Sequence, residues 1–275
     1  MEKETLRASA RRDFRIVVFG GSGMLGGEVV EELNGAGFRV AAPPRSRVDI
    51  AAAAGLRDFF ESGEKPDLAV NCAAYTAVDR AESETGAAMA ANRDGPARLA
   101  GLCAEFDLPL IHISTDYVFN GRSETPYRED DPAEPLNAYG RSKWEGEEAI
   151  RSALARHLIV RTSWLYGARG GNFVKTMLRI GGEREEINVV SDQHGSPTWT
   201  RDLARCVAAV SRRICDAPGR VRWGAYHFCN RGVTTWYEFA RKIFEYSGRW
   251  ASLKVARVNP IPTSAYPTPA VRPSW

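Results

Sequence analysis

In this sequence of 275 residues no apolar stretch is long enough to span a bilayer. The opening residues, Met1 to Asp13, are charged and lack the apolar centre of a signal peptide, so we expect a flexible leader (1–13) on a cytoplasmic protein. Neither sign of charge dominates. The 37 Lys and Arg are scattered among 34 Asp and Glu for a net charge of +3, which argues against capture of nucleic acid or a membrane surface and leaves room for a small charged ligand. Cysteine and histidine are scarce. The five cysteines (Cys72, Cys103, Cys206, Cys215, Cys229) form no C-x-x-C, and the four histidines (His112, His157, His194, His227) show no spacing suited to a metal or a nucleophile triad. Reduced, mostly buried thiols and structural histidines are the expectation, with His194 as a loop contact. No internal repeat is present.

What the chain does have is a hydrophobic content of 44%, enough for a sizeable core. From Phe14 it reads FRIVVFGGSGMLGGEVVEEL: a β-branched run, a glycine-rich turn, then apolar residues at helical spacing until Gly35 and Gly37. A strand at FRVAAPP, a helix near Ala51–Ser62, a strand at DLAVNCAAY and a helix from about Glu84 to Phe106 follow. LPLIHISTDYVF, Ala138–Arg156 and HLIVRTSWLYG continue the alternation as strand, helix and strand. Strands alternating with helices of this length predict an α/β fold, a Rossmann-type doubly wound parallel sheet, over residues 14–166. Residues 167–275 are expected to form mainly a smaller C-terminal substrate-binding lobe, with elements at about 197–230 returning to the sheet and a proline-rich, extended closing segment.

Gly20, Gly23 and Gly26 fall as G-x-x-G-x-x-G between the first strand and the first helix. There a pyrophosphate can meet backbone N–H groups that any larger side chain would screen, although a plain tight turn has the same glycines. The second strand ends VAAPPRSRVD with no acid before Asp49, so no carboxylate is placed to hold a ribose 2′-hydroxyl. Arg45 and Arg47 are either partners for a 2′-phosphate or solvated loop residues. NADP(H) is therefore favoured, with NAD(H) as the second choice and Asp49 and Ile50 against the adenine.

Tyr139 and Lys143 are spaced i, i+4 on one helix face. A phenol titrates at about 10 unless perturbed, so a neighbouring ammonium is what allows proton transfer near neutral pH. The pair alone is a common structural spacing. Ser114-Thr115 at the end of the preceding strand gives it weight, because ligands of a doubly wound sheet bind beyond the strands' carboxyl ends. Thr115 could equally cap backbone groups there.

The stretches GGSGMLG, NCAAYTAVDRAE, ISTDYVFNG, LNAYGRSKWEGE, RTSWLYG, NFVKTML, VVSDQHGSPTWTRDLA, YHFCNRGVTTWYEFA and YPTPAVRPSW together resemble the dTDP-4-dehydrorhamnose reductase family of extended short-chain dehydrogenases, from Ile16 onward. The resemblance implies reduction of the C4 ketone of a dTDP-linked 4-keto-6-deoxysugar, with Thr115, Tyr139 and Lys143 catalytic. It implies cofactor contacts from Gly20, Gly23, Met24, Leu25, Gly26, Ala73, Ala74, Tyr75 and Thr76, with Asn92 near the active site. Asp116, Tyr117 and Trp164 would meet the sugar, and Asn172, Phe173, Gln193 and Ser196 the nucleotide end; Trp164 and Phe173 could instead be core aromatics.

Two departures bear on assembly. Some members of the family are dimers bridged by Mg²⁺ through glutamates; Glu28 matches one, but Arg201 stands at the second acidic position, and RPSW are the last residues of the sequence. We expect no structural metal, and both monomer and homodimer stay open. Related dehydratases carry Asp-Glu after the catalytic Thr, whereas Asp116-Tyr117 stands here, which counts against β-elimination. Another nucleotide-sugar reductase or epimerase is a rival reading. So is a non-catalytic regulatory subunit like the methionine adenosyltransferase β subunit, which need not keep Thr115, Tyr139 and Lys143 together.

Overall fold

The computed structural model describes residues 13–52, 55–62, 65–250 and 252–275. All of the expected leader except Asp13 lies outside the described residues. The chain runs β1 (Arg15–Phe19), α1 (Met24–Gly35), β2 (Arg39–Ala41), α2 (Leu56–Ser62), β3 (Leu68–Asn71), α3 (Thr85–Met89), α4 (Gly95–Glu105), β4 (Leu110–Thr115), α5 (Ala138–Ala153) and β5 (His157–Thr162). It continues with β6 (Leu165–Tyr166), α6 (Phe173–Glu183), β7 (Glu186–Val190), β8 (His194–Gly195), β9 (Thr198–Trp199), α7 (Thr200–Asp216), β10 (Gly224–His227), β11 (Thr234–Thr235), α8 (Trp236–Ser247) and β12 (Arg257–Ile261).

Six strands form one parallel sheet in the order β10-β5-β4-β3-β1-β2. Every residue of β4 and β5 is buried, as a sheet covered on both faces requires. Alternate side chains divide between the two faces. Ile16, Val18, Leu68, Val70, Ile111 and Ile113 pack with Leu25, Val29 and Leu33 of α1 and Leu203 and Val207 of α7. Val17, Phe19, Ala69, Leu110 and Ile159 pack on the other face with Leu99 and Cys103 of α4 and Ile150 of α5. A separate cluster around Met177, Ile187, Ala240 and Ile243 holds α6, α8 and β7 together. Among the described residues no helix is long and apolar enough to cross a membrane.

Several elements differ from the sequence expectations. The helix expected from Ala51 begins at Leu56, because Gly55 at φ +84° has the left-handed backbone that precludes helix there. The helix expected over 84–106 is broken by a π-helical turn at Ala90–Asp94. Pro96, without an N–H, sits in the first turn of α4, and Gly95 lies so close to Ile50 that a Cβ would be 3.0 Å from its carbonyl oxygen. The helix expected to reach Arg156 stops at Ala153, where Leu154 turns extended. Within the proline-rich closing region, β12 pairs in parallel with β7 in a two-stranded sheet of its own. Of the cysteines only Cys103 is fully buried, and Cys229, just beyond β10, is exposed.

A charged network is sealed where β4, β5 and α5 meet. Glu147 accepts from Arg161 Nη2 at 2.8 Å and from the Ser114 hydroxyl at 2.5 Å, and Glu147 and Arg161 are 0% and 3% exposed. The register that sets Ser114 opposite Arg161 also sets Thr115 opposite Thr162. We expect Glu147→Ala to cost about 3–5 kcal/mol, measured by chemical denaturation, because it strands a buried guanidinium.

Candidate active site

The glycine turn is sterically determined. Gly20 has φ +77°, and a Cβ there would lie 2.5 Å from the Ala73 nitrogen. A Cβ on Gly26 would overlap the Gly20 carbonyl oxygen, while Gly23 N–H donates to that same oxygen at 2.9 Å. Gly23 caps α1 and no side chain satisfies the first amides of the helix, which leaves donors for an anion. A cavity of about 190 Å³ opens here. Of the residues expected at a dinucleotide, Gly20, Gly23, Arg45, Asp49, Ile50, Ala73 and Ala74 line it. The sequence reading missed Phe19, Ser22, Pro43, Val48, Cys72 and Ala91 on its wall; Ser22, inside the glycine motif, was the one carrying a signal.

Other expected cofactor residues sit elsewhere. Leu25 is buried in the core, and Met24 Sδ is 3.7 Å from Asn172 Nδ2. The Tyr75 hydroxyl donates to Glu84 at 2.7 Å, and Thr76 is exposed. Asn92, in the π-helical turn, accepts from Tyr75 N at 2.8 Å and donates to Tyr75 O at 2.9 Å, clamping the loop that follows β3. Arg45 Nε donates to Asp49 at 2.9 Å, so the two rim residues considered for nucleotide contacts pair with each other.

Thr115 ends β4, and α5 begins at Ala138 with the Asn137 side chain accepting from Gly140 N at 2.7 Å. That cap puts Tyr139 in the first turn and Lys143 one turn later. Burial pushes the Tyr139 phenol up to about 12, with the nearby Thr115 hydroxyl opposing and the Asp116 carboxylate adding to it; the Thr115 hydroxyl itself donates to Asp116 Oδ1 at 3.0 Å and accepts from Tyr117 N at 3.3 Å. Asp116 itself is pushed up to about 6 by burial. Lys143, 2% exposed, donates to Ile113 O at 2.7 Å and stands 3.2 Å from His112 Nε2. Burial pushes this amine down to about 8, with the Glu147 carboxylate opposing.

Asp116 also lines a cavity of about 420 Å³, with Thr162, Ser163, Ser196, Arg231 and Trp275. Of these, only Asp116 and Ser196 were expected as substrate contacts. Tyr117 packs edge-on against Tyr139 at 5.7 Å, and Asp79 reaches the closing segment through Arg272 at 2.8 Å. Trp164 has an uncommon φ of +46° and stacks on Trp236 with centroids 3.5 Å apart. Phe173 packs against Trp236 and Phe239, Asn172 caps α6 by accepting from Lys175 N at 3.1 Å, and Gln193 accepts from Trp236 Nε1 at 3.2 Å. The structure gives these three packing and capping contacts and does not bring them to the cavity wall.

At the positions considered for a metal, Arg201 Nε donates to Glu32 at 3.1 Å, and Arg169 lies 3.8 Å from Glu28. Among the described residues no cluster of three His, Cys, Asp or Glu side chains is arranged to hold a metal ion. A Cβ on Gly195 would lie 2.5 Å from Trp164 Cε2. Gly195→Ala should therefore displace the indole stack, changing near-UV circular dichroism and costing about 1–3 kcal/mol in thermal unfolding.

With this geometry the chain can be compared with known proteins. Residues 14–275 match the family described as the RmlD substrate binding domain. The dTDP-4-dehydrorhamnose reductase of Streptomyces griseus is 44% identical over 95% of this chain and 84% of its own. That of Escherichia coli (strain K12) is 42% identical over 94% and 87%. A crystal structure of the Bacillus anthracis dTDP-4-dehydrorhamnose reductase in complex with NADP superposes with a TM-score of 0.87 at 38% identity, covering 95% of this chain and 88% of that one. On this extent of matched sequence and fold, the chain belongs to the dTDP-4-dehydrorhamnose reductase family.

Proposed function

We propose that the chain catalyses NADPH-dependent reduction of the C4 ketone of dTDP-4-dehydro-L-rhamnose to give dTDP-L-rhamnose, with NADH as the second-choice reductant. The observation that carries this reading is the convergence of Thr115, at the end of β4, with the first turns of α5 that bear Tyr139 and Lys143, the Lys143 amine being buried and tied to Ile113 O of β4 at 2.7 Å, with Asp116 on the wall of the larger cavity. The turn at Gly20, Gly23 and Gly26, where no Cβ fits at two of the three glycines, suits a pyrophosphate against the start of α1. Ala73 and Ala74 would face the cofactor, and Arg45 on the rim would pair with a 2′-phosphate once released from Asp49. When bound, the reduced nicotinamide supplies the hydride for C4.

The protein's part is orientation and one proton. Thr115, whose hydroxyl donates to Asp116 Oδ1 at 3.0 Å, would turn that O–H to the carbonyl oxygen, where charge develops. Tyr139, whose buried phenol holds its proton well above neutral pH, gives that proton to the nascent alkoxide. Lys143, as an ammonium, favours the phenolate left behind. Asp116, Tyr117 and the Trp164 indole are the residues we assign to the sugar. Asn92 acts through the backbone of Tyr75, and Ser196 lies toward the nucleotide end. A cytoplasmic location goes with this chemistry, where reduced nicotinamide is regenerated. The rival readings are less well supported: a regulatory subunit has no need to keep Thr115, Tyr139 and Lys143 together, and Asp116-Tyr117 lacks the second acid of a dehydratase.

Purified protein should oxidise NADPH when given dTDP-4-dehydro-L-rhamnose, faster than NADH under the same conditions. Tyr139→Phe should lower kcat by about 10²–10⁴-fold while the Kd for NADPH stays unchanged. No consumption of either cofactor by well-folded protein would overturn the enzymatic reading. In the wild type, turnover should fall as pH rises through about 8, where Lys143 loses its charge; a rate that stays flat to pH about 10, the range of an unperturbed lysine, would contradict that role.

A further inference from the structure

Behind Lys143 stands a buried polar chain whose proton positions are determined by its own hydrogen bonds. Asn71, His112 and Lys143 are 0%, 0% and 2% exposed. Asn71 Oδ1 accepts from Ala73 N at 3.0 Å, which fixes the amide so that Nδ2 faces His112. Asn71 Nδ2 is 3.0 Å from His112 Nδ1, and an amide nitrogen can only donate, so Nδ1 is the acceptor. Burial, and then the charge of Lys143, hold the imidazole well below its usual titration range, so it is neutral and carries a single proton. That proton is on Nε2, 3.2 Å from Lys143 Nζ.

An ammonium has only donors, and a donor facing it is repulsive; a neutral amine has one lone pair to accept the Nε2–H. We infer that His112, held in the Nε2–H tautomer by Asn71, is a positioning residue for the catalytic lysine: its N–H faces the amine and opposes the ammonium form, in the same direction as burial. The other groups facing the amine do not reverse this arrangement. Glu147, from the same helix, favours the ammonium but is shared with Arg161 of β5, Arg151 of α5 and the Ser114 hydroxyl of β4. Cys72, just after β3, is pushed up to about 12 by burial and is a neutral thiol. Ile113 O accepts from the amine in either state. That Lys143 is catalytic rests on the function proposed above; the direction of the Nε2–H does not.

The test reads the resting protein, free of cofactor and substrate, by ¹⁵N NMR. His112 should show a protonated Nε2 and an acceptor-type Nδ1 throughout pH 6 to 9, and the midpoint of Lys143 Nζ should rise by about one pH unit, a tenfold change in proton affinity, in His112→Phe. Asn71→Ala, which frees the ring to adopt the other tautomer, should shift the midpoint in the same direction and serves where His112→Phe does not fold. A protonated Nδ1 in the wild type, or a Lys143 midpoint unmoved in the variants, overturns the inference. In turnover, the alkaline limb of kcat should move to higher pH in either variant, whereas loss of packing alone would lower kcat and leave that limb in place. Because the NMR readouts need no substrate, they can fail or succeed independently of the sugar reaction.

Discussion

An amine as deeply buried as that of Lys143 is costly unless protein groups satisfy it, and much of the architecture around it serves that requirement. Its hydrogen bond to Ile113 O ties α5 to β4, and the approach of His112 extends the tie through Asn71 to β3. One turn further along α5, Glu147 continues the same polar seam to Arg161 on β5. Three neighbouring strands and one helix are thereby held in a single register, which sets Thr115 at the end of β4 and Tyr139 in the first turn of α5.

The second constraint is steric. Parallel strands end on the same side of the sheet, so β1, β3 and β4 deliver the glycine turn, Ala73 and Thr115 to one edge of the sheet without any long loop, and the first two line one cavity. The close approach of Gly20 to Ala73 joins the first two of these, and Asn92 joins the loop after β3 to α5 through its 2.9 Å hydrogen bond to Ser142. The π-helical turn that interrupts the expected helix is where Asn92 points inward, so an irregularity in the helix does positional work.

Most of the Rossmann half was legible because its signals are local. β-branched runs, helical periodicity and the glycine triplet each read correctly within a dozen residues, and Tyr139 and Lys143 share a helix face by spacing alone. What escaped were features set by distant partners. The end of the 84–106 helix segment as a straight rod depends on Gly95 meeting Ile50, and the pairing of β12 with β7 joins segments far apart in sequence. His112 read as structural because no spacing tied it to Lys143; only the pairing of β3 with β4 brings Asn71 opposite His112. Likewise, Phe173 and Gln193 carry no mark distinguishing a ligand contact from the packing around Trp236 that the fold gives them.

In the proposed reaction hydride reaches C4 of a nucleotide-linked sugar while Tyr139 protonates the oxygen. Turnover with NADPH deuterated at the transferring position of the nicotinamide, followed by NMR of the sugar product, tests it directly. One deuterium at C4 and none at C3 or C5 is the predicted result. Product without deuterium at C4, or with exchange at the neighbouring carbons, would mean that a different bond is being made and would contradict the account.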